Sequence, residues 1–442
     1  MRRLTACLLL ALTAAAAPHA QTASFQGLGI LGTPPTGLPA SVASAVSPDG
    51  QVVVGLSSTG ARVQEAFRWT AGGGIAPLDG FTAPALANRA EGVSPSGLVV
   101  GLGVLTPPNG FGQAFTWRAG SAAFLSGPGF VSGWARDVSD TDVVAGVAST
   151  NTREEAFAAQ GGTIVGLGVL PGGTFQSSSA NGVSANGLVV VGRSRGANGW
   201  EAFRWTSATG MVGIGDLPGG AFDGEAFAAS ADGAVVVGLS SAAGNSTQAF
   251  RWTAAGGMQS LAPMGVAYGV SSDGGVVVGA AGDAQVWTAA TGSVSVQARL
   301  VALGVNLTGW ALRSAEDVSA DGTVIVGTGT NPAGLQEAWR AVLPRPTTAA
   351  EAAPAAALPG LTISGNPVTA ASTVRIDLPA PGPVRLTLLD ALGRTVARLA
   401  EGEWPSGTRT VAIGGRGLAA GVYVVRLDAG GTRVVETVQV VR

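Results

Sequence analysis

Hydrophobic and polar positions alternate in short runs that recur about every 45 residues. The clearest run places valines directly after an Asp-Gly or Asn-Gly pair, as in VSPDGQVVVG from Val46 to Gly55. Asp-Gly favours a tight two-residue turn, and a short apolar run beside such a turn is typical of a strand buried on both faces. Each repeat is therefore predicted to contain a turn followed by a buried strand. Further copies of the run begin at Val93, Val138, Val183, Ala229, Val270 and Val318.

A second phrase, Ala-Phe-x-Trp, follows each first one after about 18 residues, and its alternation is typical of a half-buried strand. Three repeats depart from it, because Ala159 and Ala341 replace the tryptophan and Gln285 replaces the phenylalanine. A Gly-rich lead into a short apolar strand completes most repeats. Four short strands in about 45 residues, without a helical period, match one propeller blade. The sequence predicts an all-β chain with a seven-bladed β-propeller over residues 21–345.

The two ends of the repeat region complement each other. The seventh repeat runs from Glu337 to Leu343 straight into Pro344 and lacks the final strand. A matching segment stands instead before the first repeat, at Ser24 to Gly32. A ring would use this strand to remove a free edge, whereas an open stack would not need it. Phe25 to Leu31 is therefore predicted to pair with Ala338 to Leu343 and close the ring.

The amino terminus has the layout of a secretory signal peptide over residues 1–20. Arg2 and Arg3 precede an apolar stretch from Leu4 to Ala17, which is too short to span a bilayer as a stable helix. Cleavage after Ala20 is expected, with Ala17 and Ala23 as alternatives. No transmembrane segment is predicted elsewhere in the chain.

Composition excludes several classes of chemistry. The chain has one cysteine, Cys7, and one histidine, His19, and both would leave with the signal peptide. A mature protein without thiol or imidazole has no disulfide, no Ser-His-Asp triad and no zinc held by these side chains, so no cofactor or metal is expected. A formal net charge of −2 argues against binding nucleic acid.

The second phrase opens on an acidic or amide residue in every repeat. A polar or cation-binding lining is one interpretation; the favoured one is that each oxygen accepts a backbone N–H of the neighbouring blade. Recurring arginines three residues later are interpreted as surface charges or partners of acids. The acidic and amide set is Glu65, Gln113, Glu155, Glu201, Gln248, Asp283 and Glu337, and the arginines are Arg68, Arg204, Arg251 and Arg340.

Other candidate residues stand at turns and loops. The turn aspartates resemble the Asp-boxes of sialidase propellers, which are turn elements and indicate fold.

A calcium site at Asp137, Asp140 and Asp142 is conceivable, although the loop has no terminal Glu. Three carboxylates between Asp216 and Glu225 offer a glycosidase arrangement only at a fixed separation. Three tryptophans outside the repeat pattern either stack on sugars or fold back. The turn aspartates are Asp49, Asp232, Asp273 and Asp321, and the tryptophans are Trp134, Trp200 and Trp310.

The repeated phrases resemble the HAF family of extracellular repeats over about residues 27–343. Members of that family carry the same Val-Ser-x-Asp-Gly-x-Val-Val-Gly and Glu-Ala-Phe-Arg-Trp phrases. The resemblance implies an extracellular repeat protein and names no activity.

A Pro- and Ala-rich linker is predicted over residues 346–360, followed at 361–442 by short alternating strands of a small Ig-like β-sandwich. This last module resembles the C-terminal sorting domain of the type IX secretion system. The resemblance implies passage through the periplasm, reading by the outer-membrane translocon, and a secreted or cell-surface protein. The residues that carry it are Asn366, Pro367, Asp390, Gly393, Arg394, Gly421, Tyr423, Arg426 and Leu427.

We therefore expect a secreted or cell-surface, non-catalytic binding scaffold for an extracellular glycan or protein. The alternative is a carboxylate-based hydrolase of glycans, whose chemistry needs neither His nor Cys. Two facing carboxylates off the repeat pattern in the central pocket would favour the hydrolase. Clustered off-pattern aromatic residues on one rim would favour the scaffold.

Overall fold

The computed structural model describes residues 22–81, 85–105, 112–173, 175–345, 360–364, 367–369, 372–378, 382–390, 394–413, 418–429 and 432–440. The predicted signal peptide with Cys7 and His19 and nearly all of the predicted linker lie outside these residues. The chain divides into two compact units between Arg345 and Pro346. In the described residues, no helix is long and apolar enough to cross a membrane.

Unit one is a seven-bladed β-propeller, as predicted. Each blade is a four-stranded antiparallel sheet. Six blades are continuous in sequence, and the seventh takes its fourth strand from the amino terminus. Blade one is β2–β5 (Ser41–Val46, Val52–Ser57, Glu65–Thr70, Gly74–Pro77); blade two is β6–β9 (Ala85–Val93, Val99–Leu105, Gly112–Arg118, Ser121–Phe124); blade three is β10–β13 (Ser132–Val138, Val144–Ser149, Glu154–Gln160, Thr163–Gly166); blade four is β14–β17 (Ser178–Val183, Val190–Arg195, Trp200–Thr206, Gly210–Gly213); blade five is β18–β21 (Gly224–Ala229, Val235–Ala242, Ser246–Thr253, Gly257–Ser260); blade six is β22–β25 (Val266–Val270, Val276–Ala280, Ala284–Thr288, Gly292–Ser295); blade seven is β26–β28 (Ala311–Val318, Val324–Thr330, Gln336–Val342) with β1 (Ser24–Gly27). A 3-10 turn (Ala243–Asn245) and one helix, α1 (Val296–Ala302), lie in connections.

The ring closes as the sequence predicts, through β1 against β28. Phe25 pairs with Ala341 and Gly27 with Trp339 in an antiparallel register. The pairing continues as one more backbone bond, from the Leu28 N–H to the Ala338 carbonyl (2.9 Å). The first strands of neighbouring blades contact each other all the way round, so blade seven meets blade one.

The Asp-Gly phrase forms a turn held by its own side chains. In blade one the Ser47 hydroxyl donates to Asp49 Oδ1 (2.5 Å) and accepts the N–H of Val52 (2.9 Å). Gly50 has φ 72°, a conformation that favours glycine. The same Ser–Asp bond recurs at Asp232, Asp273 and Asp321, so the turn aspartates are structural, as predicted.

Three of the four recurring arginines, Arg204, Arg251 and Arg340, have backbone partners, which corrects their interpretation as surface charges or partners of acids; for Arg68 that interpretation stays a prediction. Arg204 donates to the carbonyl of Gly233 (3.1 Å), the turn glycine of the next blade. Arg251 and Arg340 make the same bond to the next blade, as Arg251 Nε to the Gly274 carbonyl (3.2 Å) and Arg340 Nε to the Gly50 carbonyl (3.1 Å). These arginines therefore join adjacent blades.

Three of the four glutamates that open the second phrase accept backbone N–H groups, but from their own blade, whereas Glu65 pairs with Arg62 (2.7 Å). Glu155 Oε1 accepts the N–H of Gly168 (2.9 Å), and Glu201 Oε1 that of Gly215 (3.1 Å), just after the fourth strand of the same blade. Glu337 does the same with Gly29 (2.8 Å), after β1. The predicted partner in a neighbouring blade is wrong, because the third strand lies beside the fourth and its side chains reach the exit of that strand.

Unit two is a β-sandwich, as predicted, with three- and four-stranded sheets around a core that includes Ile376, Leu386, Val425 and Leu427. Its sheets run β29-β30-β33 and β32-β31-β34-β35. The strands are β29 (Gly360–Ser364), β30 (Thr373–Leu378), β31 (Gly382–Asp390), β32 (Thr395–Trp404), β33 (Gly407–Ala412), β34 (Gly421–Ala429) and β35 (Thr432–Val440).

The residues that carry the sorting-domain resemblance mostly stabilise this sandwich. Arg394 pairs with Asp390 (2.7 Å), and the Tyr423 hydroxyl donates to the Ala419 carbonyl (3.0 Å). Arg426 pairs with Asp428 (3.0 Å). Leu427 is buried, Gly421 begins β34 and Pro367 stands just before the bridge at Val368, whereas Asn366 and Gly393 lie outside the described residues. A role of these residues in sorting stays a prediction.

Candidate binding site in the central channel

A β-bulge interrupts the first strand of every blade at the same position. In blade one the register shifts between Ala43 and Ala45, and Ser44 has no partner in the ladder. A bulge redirects the side chain of the extra residue. All seven bulged residues line one cavity of about 320 Å³ in the central channel. They are Ser44, Glu91, Arg136, Asn181, Phe227, Tyr268 and Glu316.

These seven residues were not predicted, although the sequence carries a signal for them. Each of the seven stands two residues before the first repeated phrase and directly after an alanine, as Glu91 does after Ala90. The alanine is invariant among the repeats while the next residue changes between acidic, basic, amide and aromatic types. A position that varies in chemistry inside an otherwise constant phrase is where a repeat protein carries its function.

Blades two and three contribute a charged arc. Arg89 forms an ion pair with Glu91, and Trp134 Nε1 donates to Glu91 Oε1 (3.0 Å). The guanidinium of Arg136 lies 3.7 Å from the centre of the Trp134 ring. Burial raises the pKa of Glu91 despite the two arginines, and burial lowers the pKa of Arg136. Trp134 therefore packs against the channel residues Glu91 and Arg136. This contact favours the predicted fold-back of the ring over stacking on a sugar.

Blades five to seven contribute an aromatic arc and a carboxylate. The rings of Phe227 and Tyr268 lie 5.6 Å apart at a tilt of 57°. Glu316 accepts the Ser314 hydroxyl (2.5 Å), and burial raises its pKa. Burial raises the pKa of Tyr268, and the charge of Glu316 raises it further.

Blade four adds an amide between the two arcs. Asn181 Nδ2 donates to Glu225 Oε1 and to the Ala226 carbonyl, both at 2.9 Å. Glu225 pairs with Arg193 (3.1 Å), whose guanidinium lies 4.6 Å from the centre of the Trp200 ring. Two buried polar atoms of the lining, Asn181 Oδ1 and Arg136 Nε, have no hydrogen-bond partner within the described residues. A ligand in the cavity can satisfy such groups.

Two aspartates form the neck of the channel. Asp137 accepts the N–H groups of Val138 (2.7 Å) and Val183 (2.8 Å), the latter from blade four. Asp317 accepts those of Val318 (2.7 Å) and Val46 (2.9 Å), the latter from blade one. Burial raises the pKa of Asp137 to about 6 and that of Asp317 to about 7. Both also line a second cavity of about 110 Å³ on the side of the Asp-Gly turns.

The structure brings together only two of the three acids of the predicted calcium site. Asp137 and Asp140 both line the second cavity, whereas Asp142 accepts the hydroxyls of Ser94 and Ser96 (both 2.8 Å) and pairs with Arg118. In the described part of the chain, no group of three or more acids, His or Cys is arranged to hold a metal ion. Of the acids between 216 and 225, Glu225 alone is placed in the channel network.

The remaining off-pattern tryptophan, Trp310, is not part of the channel. It packs edge-on against Phe25, with ring centres 5.0 Å apart, beside the closing strand of blade seven. Trp310 is therefore a structural residue of the ring closure.

The described residues form a β-propeller unit and a β-sandwich unit. Comparison with known proteins finds solved structures that are similar to this chain. No family model and no curated protein sequence matches the chain. Among solved structures, it is similar to TolB from Acinetobacter baumannii (TM-score 0.40, 11% identity, 67% of this chain) and spans 64% of that chain. It is also similar to PorZ of Porphyromonas gingivalis, a surface component of the type IX secretion system (TM-score 0.32, 14% identity), covering 91% of this chain and 51% of that one. A third similar structure is a putative TolB from Agrobacterium tumefaciens (TM-score 0.33, 15% identity), with coverage of 70% and 90%.

Proposed function

We propose that this chain is a secreted or cell-surface, non-catalytic propeller scaffold that binds a small polar ligand in its central channel. One observation carries the proposal: seven bulged side chains of different chemistry converge on a single cavity. In blade one the small Ser44 holds the same bulge position, so charged and aromatic residues there are not required by the fold.

The chemistry of the lining suits a glycan or a similar polyhydroxylated ligand. Phe227 and Tyr268 offer an apolar face on which a sugar ring can stack. Arg136, Asn181 and Glu316 offer donors and acceptors around it, including the unpartnered Asn181 Oδ1. Binding sites of this kind combine an aromatic wall with a few placed polar groups.

The alternative function, a glycan hydrolase, has one observation in its favour. Glu91 and Glu316 line the same cavity and both pKa values are raised by burial, as a general acid requires. The arrangement differs from a catalytic pair because Glu91 is already bonded to Arg89 and Trp134. Both partners favour the ionised form of Glu91, which opposes the role of general acid.

A glycan array probed with the full mature chain tests the binding proposal. We expect Tyr268→Ala to weaken binding of any selected glycan at least about tenfold, because an aromatic contact is lost. Phe175→Ala is the matched control, since Phe175 is 65% exposed, and it should bind as the parent does. Equal binding by the Tyr268→Ala variant would refute the channel as the site. Release of new reducing ends from the bound glycan would support the hydrolase instead.

We further propose export through the type IX secretion system, with residues 361–442 as the sorting signal. The phrase from Leu418 to Leu427 supports this assignment. Deletion of residues 361–442 is expected to leave a folded propeller in the periplasm. Fractionation of cells producing the truncated and full chains measures this, and normal surface delivery of the truncated chain would contradict it.

A further inference from the structure

The seams between blades follow one packing rule. The tryptophan at the end of Ala-Phe-x-Trp belongs to the same hydrophobic cluster as a residue of the preceding blade. That residue is the first one of the valine run. Arg251 and Arg340 of the preceding blades also face such a ring, with their guanidinium groups 5.9 Å from Trp287 and 6.0 Å from Trp69. The clustered pairs are Trp69 with Val324, Trp117 with Val52, Trp205 with Val143, Trp252 with Val189 and Trp287 with Val235.

The seam between blades two and three breaks this rule at three positions. Ala159 replaces the tryptophan of blade three, and Thr116 replaces the arginine of blade two. Asp142 replaces the turn glycine of blade three and keeps a φ of 62°, which is unfavourable for a residue other than glycine. Strain of this kind persists where surrounding contacts maintain it, and here Asp142 is bonded to Ser94, Ser96 and Arg118.

The result is a cavity of about 370 Å³ where the indole would lie. Leu98 and Ala159 line it from the two blades, and Leu125 and Val144 are further apolar residues of its wall. Arg118 and Asp142, which pair at 2.7 Å, are its charged residues. The other blade without this tryptophan is blade seven, where Phe25 and Leu300 belong to the cluster that contains Ala341.

The seam keeps an apolar contact beside this cavity. Leu98 packs against the core cluster that contains Val144 and Ala159. The cavity opens to solvent and is lined by these apolar side chains together with polar groups of Thr116, Arg118, Asp142, Gly161 and Gly162. A site with an apolar wall and a few placed polar groups suits a small aromatic ligand.

We propose that this seam cavity, lined by Leu98, Leu125, Val144 and Ala159 with Arg118 and Asp142, is a binding site for a small neutral aromatic molecule of indole size. The apolar wall takes the ring in place of the tryptophan. The Asp142 carboxylate accepts an N–H or O–H from the ligand, and the ion pair with Arg118 leaves no net charge to be balanced. The site is independent of the channel.

Calorimetric titration of the full mature chain with indole tests the proposal. We expect saturable binding with one site, weakened at least about tenfold in Ala159→Trp, which fills the cavity from blade three. Val165→Trp is the matched control, because it adds a tryptophan at a 60% exposed position of the same blade. Leu98→Trp fills the space from blade two and provides a second test if the first variant folds poorly.

Melting temperature is the second readout. Ala159→Trp is expected to raise the melting temperature by about 2 °C or more, because it restores the packing of the other seams. Absence of indole binding up to its solubility, or equal binding by the parent and both filled variants, would overturn the proposal.

Discussion

Removal of residues 21–31 from the mature chain is expected to destabilise the whole propeller and not one blade alone. The deletion takes away β1, the buried Leu28 and the Phe25 ring that packs on Trp310 and Trp339. Loss of a large core side chain such as Leu28 costs about 2 to 5 kcal/mol, and the half-buried Phe25 ring and the ladder bonds are lost with it. That sum is comparable with the total stability of a typical domain. Chemical denaturation followed by tryptophan fluorescence measures the change.

Gln26→Ala is the control for this deletion. Gln26 is exposed in the same strand, so its truncation should change the free energy of unfolding by less than about 0.5 kcal/mol. The cooperativity of unfolding distinguishes loss of the whole ring from loss of one blade, because a closed ring loses its contacts between blades six, seven and one together. If the denaturation midpoint is unchanged and only the amides of blade seven lose protection, the other six blades are stable without ring closure.

The ring and its closure could be predicted from sequence because both depend on local signals that repeat. The Asp-Gly turn, the valine run and the missing seventh strand each follow from short-range rules, and Phe25 opposite Ala341 is where counting the strands places it. The partners of recurring polar residues could not be predicted in the same way. Arg204 reaches a carbonyl of the next blade, whereas Glu201 reaches an N–H of its own.

The channel residues were missed for a related reason. Alternation along a strand assigns side chains to two faces, and one extra residue reverses that assignment beyond it. Glu91 and Arg136 read as ordinary strand positions until the bulge after Ala90 and after Ala135 is seen. The bulge itself depends on how the first strand pairs with the second, which alternation along a single strand does not show.

A glycine in the second strand is what permits this bulge. The valine run ends on glycine in every repeat, and its place opposite the first strand leaves no room for a side chain. A Cβ built at Gly192 would overlap the carbonyl oxygen of Ser179, two residues before the bulged Asn181. The same overlap with the carbonyl two residues before the bulge occurs at Gly55, Gly101, Gly146, Gly238, Gly279 and Gly327.

Gly192→Ala is therefore expected to lower the free energy of unfolding by about 3 kcal/mol, because backbone and not a flexible side chain must move. Gly72→Ala is the matched control, since nothing lies near a Cβ at Gly72, and it should leave stability within about 0.5 kcal/mol of the parent. Thermal and urea denaturation of the two variants measure the difference. If Gly192→Ala proves as stable as Gly72→Ala, the bulged strand can shift freely, and the convergence of seven side chains on the channel would no longer be fixed by the repeat.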